Sequence, residues 1–222
     1  MLCVPILSRN TEEALAKMTL AGPLADMLEL RLDIMESFDL ETMVQSSSKP
    51  VLVTYRSKRE GGHGSAGYAT RLSYLLKAVQ VGADMVDVEY TLPLESRKEI
   101  LQRRGRSQII LSKHLSNRTP SIKELTILFE KMVASGADVV KIVTRATKPQ
   151  DNLTVLRLIP LAQTLGVEII AFCMGPVGRL SRVAGAILGG YLTFACLEKG
   201  DESADGQLPV KEMKRILAGI RA

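Results

Sequence analysis

Strand-like and helix-like segments alternate along the whole of this 222-residue chain. That alternation restricts the fold more than any single motif does. Apolar, β-branched runs predict strands at 2–7, 27–33, 50–56, 85–91, 108–114, 139–144, 167–174 and 191–197. Between them, helical spacing and capping residues predict helices at 11–20, 40–45, 68–79, 95–104, 122–134, 152–164 and 180–188, with a last one at 210–220. Pro160 should kink or break the helix that holds it. Ala21-Gly22, Val81-Gly-Ala-Asp84 and Ser135-Gly-Ala-Asp138 stand alike before strands and read as connections of one repeated unit. Strands joined through helices run parallel, in an open doubly wound sheet or a closed ring. Eight units in this length predict α/β architecture, a (β/α)8 TIM barrel, as one domain over 1–222.

Side chains alternate faces along a strand, so parity sorts them. In the second strand Leu28, Leu30 and Leu32 share one face, and Glu29, Arg31 and Asp33 the other. Thr54 and Arg56 alternate with Val53 and Tyr55, and Asp87 and Glu89 with Val86 and Val88. Ser112 pairs in parity with His114, and Lys141 with Val139 and Val143. A half-exposed antiparallel sheet gives the same alternation. With a helix after every strand, however, both faces are covered, and the charges have one outlet, the C-terminal mouth of a barrel. An ion-pair network of purely structural purpose is the competing reading.

Composition removes other classes. Basic residues are scattered despite a formal charge of +5, and aromatics are only 4%, which disfavours a nucleic-acid platform. No apolar run approaches the ~18 residues of a membrane span. The apolar start, residues 1–7, lacks a basic leader and reads as a first strand, not a signal peptide. Cys3, Cys173 and Cys196 lie far apart in apolar segments, as buried thiols of a reducing, cytoplasmic setting do. His63 and His114, the two histidines, show no metal-ligand spacing, so no structural metal is expected. His63, in the Gly-rich loop Glu60-Gly-Gly-His-Gly64, reads as a solvated residue.

Lys141 sits among β-branched neighbours in Asp138-Val-Val-Lys-Ile-Val143. At a strand end its stem could snorkel to water. Buried and neutral, it would be a nucleophile toward carbonyls. Beside a histidine on the adjacent strand, it suggests imine chemistry in which the histidine moves protons.

Eight segments in order carry a family likeness: Glu29-Leu-Arg-Leu-Asp33, Thr54-Tyr-Arg-Ser-Lys-Arg-Glu-Gly-Gly62, Asp87-Val-Glu89, Ile110-Leu-Ser-Lys-His114, Val140-Lys-Ile142, Met174 with Gly178-Arg-Leu-Ser-Arg182, Gly189-Gly-Tyr-Leu-Thr-Phe194, and Ser203-Ala-Asp-Gly-Gln207. Together they resemble type I 3-dehydroquinate dehydratases over nearly the full length. The resemblance implies dehydration of 3-dehydroquinate to 3-dehydroshikimate in the shikimate pathway, without metal or cofactor, by a homodimer. It implies that Lys141 forms the Schiff base, that His114 is the general base and acid, and that Glu60 biases His114. Arg182 would pair with the substrate carboxylate. Glu29, Arg31 and Arg56 would hold the substrate, and Ser203 and Gln207 would belong to a closing loop.

The chain departs from the family pattern at Lys113 and Leu115, where small polar residues are usual before the histidine and Asp or Asn after it. Parity sends both away from the mouth. Asp205 replaces a frequent proline, leaving the closing loop a freer backbone. Other Schiff-base barrels of the class I aldolase kind, and a catalytically silent anion-binding barrel, are the rival readings. In plants and some bacteria the family domain is fused to shikimate dehydrogenase.

Overall fold

The computed structural model describes residues 1–221. Eight parallel strands form one sheet: β1 (Leu2–Ile6), β2 (Met27–Arg31), β3 (Val51–Thr54), β4 (Met85–Glu89), β5 (Gln108–Leu115), β6 (Val139–Arg145), β7 (Glu168–Met174) and β8 (Thr193–Phe194). Their order, β7-β6-β5-β4-β3-β2-β1-β8, is that of a barrel opened between β7 and β8. The Tyr191 amide donates to the Ile169 carbonyl at 2.8 Å and bridges that seam.

The eighth strand is shorter than the expected 191–197. Its backbone turns away after Phe194: the Cys196 amide donates to Leu208, and the Val210 amide returns to the Cys196 carbonyl. These groups are used by the returning chain and are lost to the sheet.

The helices are α1 (Thr11–Ala21), α2 (Leu40–Gln45), α3 (Tyr68–Gln80), α4 (Leu94–Arg103), α5 (Ile122–Val133), α6 (Gln150–Leu156), α7 (Leu158–Thr164), α8 (Arg179–Ile187) and α9 (Val210–Arg221). Asn10 caps α1 by accepting from the Glu13 amide, and Ser121 with Glu124 forms a capping box on α5. The helix expected at 152–164 is two. Pro160 has no N–H for the Leu156 carbonyl, and the break falls at Arg157 within that turn. No described helix is long and apolar enough to cross a membrane.

Strand parity divides the core in two. Leu28, Leu30, Val53, Val86, Val88, Leu111, Val140 and Ile142 face outward and pack in the layer shared with the helices. Cys3, Met27, Leu52, Met85, Ile110, Val139, Val143 and Ile170 fill the interior. Loops are tied to strands in a repeating way. Asp26, Asp84 and Asp138, each just before an even-numbered strand, accept the amides of Leu2, Val51 and Ile109 on the preceding one, at 2.7, 2.8 and 2.8 Å. The three connections recognisable in the sequence therefore share a function as strand clamps.

Candidate active site

Along five adjacent strands the interior changes from apolar to charged in one step of two residues. Met27 is followed by Glu29 and Arg31, Leu52 by Thr54 and Arg56, Met85 by Asp87 and Glu89, Ile110 by Ser112 and His114, and Val139 by Lys141. Arg31 pairs with Thr54, Thr54 with Asp87, Glu89 with Ser112 and Ser112 with Lys141, while Glu29 and Asp87 also step past Leu52 and Ile110, so the polar residues gather at the C-terminal end above an apolar plug. Above them opens a cavity. All nine residues singled out from the sequence line it: Glu29, Arg31, Arg56, Glu60, His114, Lys141, Arg182, Ser203 and Gln207. Val143, Phe172, Met174 and Phe194 supply apolar wall.

Lys141 is 3% exposed, so its stem does not snorkel to water. Its Nζ donates to Asp87 Oδ2 at 3.0 Å and lies 4.3 Å from the centre of the Phe194 ring. Asp87 also accepts from Arg56 at 2.7 Å and from Ser112 Oγ at 2.5 Å. Burial would raise the Asp87 carboxyl, but Arg56 and Lys141 outweigh it and hold the group well below the carboxylate range. Arg56 further donates to Glu89 and Ser112, and Arg71 from α3 reaches Glu89 as well. Arg31 is fixed by a two-pronged pair with Asp33, both contacts 2.8 Å. Glu29 accepts from Thr54 Oγ1 at 2.7 Å.

His114 ends the inward series of β5. Burial, then the positive field of Arg56, pushes its imidazole down to about 3, with Glu60 opposing. Glu60 stands in a 3-10 turn, Lys58–Glu60, and Gly62 just after it approaches Arg56 closely. A Cβ at Gly62 would lie 2.2 Å from the Arg56 carbonyl oxygen. Burial would raise Glu60, but His114, Arg56 and Lys113 bring it down to about 2. Its Oε2 accepts the His114 amide at 2.8 Å and faces Nδ1 at 3.4 Å.

Arg182, 1% exposed on α8, is the odd cation. Arg31, Arg56, Arg71 and Lys141 all meet carboxylates, whereas among the described residues Arg182 has no acidic partner within ion-pair distance. It donates to the Asp205 carbonyl at 3.2 Å, stacks 4.4 Å over Phe172, and leaves Nε without a partner. Burial pulls it down to about 10. An unpaired buried guanidinium costs several kcal/mol, and the site offers it to an anion.

The loop over the cavity is folded inward. Ser203 and Gln207 bond to each other, the Ser203 amide meeting Gln207 Oε1 at 2.8 Å. The Gly175 amide and Arg182 donate to the Asp205 carbonyl, while the Asp205 carboxylate accepts from Arg145 at 2.7 Å. The residue substituting for a frequent proline thus ties the loop down by its side chain. Gly206 is required there: its φ is 83° and a Cβ would meet the Gly175 carbonyl at 2.3 Å.

The expectation for Lys113 needs correcting. Its Cα belongs to the outward series, yet its long stem bends over the rim and Nζ donates to Glu60 Oε1 at 2.9 Å. Leu115 does pack outward, and exposed His63 stays outside the cavity. Sequence reasoning gave no role to Asp87, Ser112, Glu89, Arg71 or Phe194. Parity pointed the first three inward, but no one-dimensional signal pairs Asp87 with a lysine 54 residues away.

The family model for type I 3-dehydroquinase matches residues 2–221. The chain belongs to the type I 3-dehydroquinase family. A 3-dehydroquinate dehydratase of Desulfotalea psychrophila is 34% identical over 221 residues, covering 98% of this chain and 96% of that one. The chloroplastic bifunctional 3-dehydroquinate dehydratase/shikimate dehydrogenase of Arabidopsis thaliana is also 34% identical, and the match spans 36% of it. Among solved structures, a type I 3-dehydroquinate dehydratase from Clostridium difficile with covalently modified comenic acid superposes with a TM-score of 0.88 at 26% identity, covering 99% and 91% of the two chains. As a type I 3-dehydroquinase the chain is an enzyme of the hydro-lyase class.

Proposed function

We propose that this chain converts 3-dehydroquinate to 3-dehydroshikimate in the shikimate pathway, through a Schiff base on Lys141 with His114 moving the protons. The observation that carries the reading is one buried amine sharing a cavity with a neutral imidazole and an arginine that lacks a counter-ion. The substrate is a carboxylate with hydroxyls and a ketone, and each has a matching group. Arg182 takes the carboxylate in two hydrogen bonds. Glu29 and the locked Arg31 accept from and donate to hydroxyls.

Lys141, once deprotonated, attacks the ketone carbon, and the carbinolamine loses water to give an iminium. Asp87, already 3.0 Å from Nζ, balances the iminium charge. The iminium acidifies the adjacent C–H. A proton on His114 Nδ1, facing Glu60, leaves Nε2 free to remove that hydrogen. The resulting enamine expels the β-hydroxyl, which leaves as water with the proton from His114. Hydrolysis of the conjugated imine then frees the product and restores Lys141. Val143, Phe172 and Phe194, with loop 203–207 above, exclude bulk water meanwhile.

Enone absorbance growing on addition of 3-dehydroquinate tests the reaction, and borohydride tests the intermediate. Reduction should add one substrate-derived mass at Lys141 in the wild type and none in Lys141→Ala. His114→Ala should still accumulate the adduct while turnover falls ~10²–10⁴-fold. Labelling of another lysine, or near-wild-type turnover by His114→Ala, would sink the assignment.

A further inference from the structure

Lys113 is a charged side chain at this site that the chemistry above leaves without a part. Its side chain is 19% exposed, and its ammonium lies against a carboxylate whose side chain is completely shielded. The two oxygens of Glu60 are divided between two tasks. Oε1 faces outward and accepts from Thr91 Oγ1 at 2.8 Å and Lys113 Nζ at 2.9 Å. Oε2 faces the cavity and meets only the His114 amide and, at 3.4 Å, its Nδ1 and, at 3.9 Å, the Arg56 guanidinium. An oxygen held by two donors fixes the rotation of the whole carboxylate, and with it the position of the other oxygen.

We propose that Lys113 is a positioning residue for His114: it anchors Glu60 so that Oε2 meets the imidazole, and it offsets part of the carboxylate charge that would favour imidazolium. The inference rests on the reading of His114 as the group that moves protons. Thr91 Oγ1 and the His114 amide still hold the carboxylate against the ring when the ammonium is removed, so its two charge effects, of one sign, outweigh the loosening. The imidazole loses a nearby like charge, and Glu60 regains its full attraction for a protonated ring. The other groups facing His114 stay as they are: Arg56 after β3, Asp87 on β4, Lys141 on β6 and Glu60 in its turn. The acidic limb of kcat/KM therefore moves upward, on the order of half to one pH unit.

Three variants separate the contributions. Lys113→Met removes charge and donor, Lys113→Gln removes charge but keeps a donor, and Lys113→Arg keeps both. The acidic limb should move upward in the Met and Gln variants and return in Arg, with KM at neutral pH within about twofold of wild type. The titration of His114 in the substrate-free protein, followed by imidazole NMR, should move the same way. The chain has two histidines, so a His63→Asn background identifies the signal. Movement of the titration in Met and Gln but not Arg supports the role whatever the reaction proves to be. An unmoved His114 in folded Met or Gln variants overturns it, as does a uniform loss of kcat at every pH. Absence of wild-type turnover or of the Lys141 adduct would instead count against the catalytic reading itself.

Discussion

The guanidinium of Arg182 is held in the fold at a cost, since burial depresses it and, among the described residues, no carboxylate lies within ion-pair distance. Two consequences follow. Arg182→Ala should raise KM with kcat nearly unchanged, because a carboxylate is equally charged in ground and transition states. The expected loss is ~2–5 kcal/mol of binding, as for truncating one side of a desolvated pair, and an unchanged KM would remove the residue from the site. Arg182→Leu, filling the same space without charge, should keep or gain stability by on the order of 1 kcal/mol; a clear drop in thermal midpoint would contradict this. At the same scale, parity predicted which backbone positions face the mouth, from Glu29 to Lys141. It could not predict where a long stem ends, and Lys113, outward by its Cα, finishes on Glu60. Nor could it give Asp87 its partner, since a counter-ion is a fact of three-dimensional proximity.

Elements were legible wherever hydrogen bonding is local or the apolar pattern is long. Helix starts followed their caps at Asn10 and Ser121, and Pro160 marked its break to within three residues. The failure was β8. Its apolar run 191–197 is genuine, but the segment 208–210 competes for the same backbone groups, and nothing local in the sequence reveals that. The loop that follows closes through Arg145 and Asp205, whose side chains are 37% and 62% exposed. Such a pair is worth ~0–1 kcal/mol and is screened by salt. Asp205→Ala should therefore raise KM no more than about fivefold, and the difference from wild type should vanish at high ionic strength, as steady-state kinetics over a salt series will report. A large, salt-independent defect would mean that the carbonyl of residue 205, not its carboxylate, was disturbed.

For the whole molecule, the polar layer inside the barrel makes the fold acid-sensitive. His114 is depressed from 6.5 to about 3, so below pH 6.5 the unfolded chain binds a proton that the native one refuses. Glu60 is depressed from 4.5 to about 2, and its stabilisation is whole above 4.5 and lost as pH falls through 2. Both have the same sign, so the urea midpoint should begin to fall below pH 6.5 and fall faster below 4.5. His114→Asn should flatten the upper part of that profile; an unchanged slope there would show that other groups set it. The seam between β7 and β8 adds a different consequence. Two thiols flank it, Cys173 on β7 and Cys196 just after β8, while Cys3 pairs with Phe194 one strand further on, across β1 and β8. Each is buried and each is raised by that burial, Cys196 to about 11. A closed ring keeps them inert, and any excursion that parts its last link exposes them to an alkylating reagent. Cys173 and Cys196 should then react in mild urea, before Cys3 and before the global transition. The barrel thus has a chemical clock at its weakest joint, and the rate at which those two sulfurs are consumed times how often the ring comes undone.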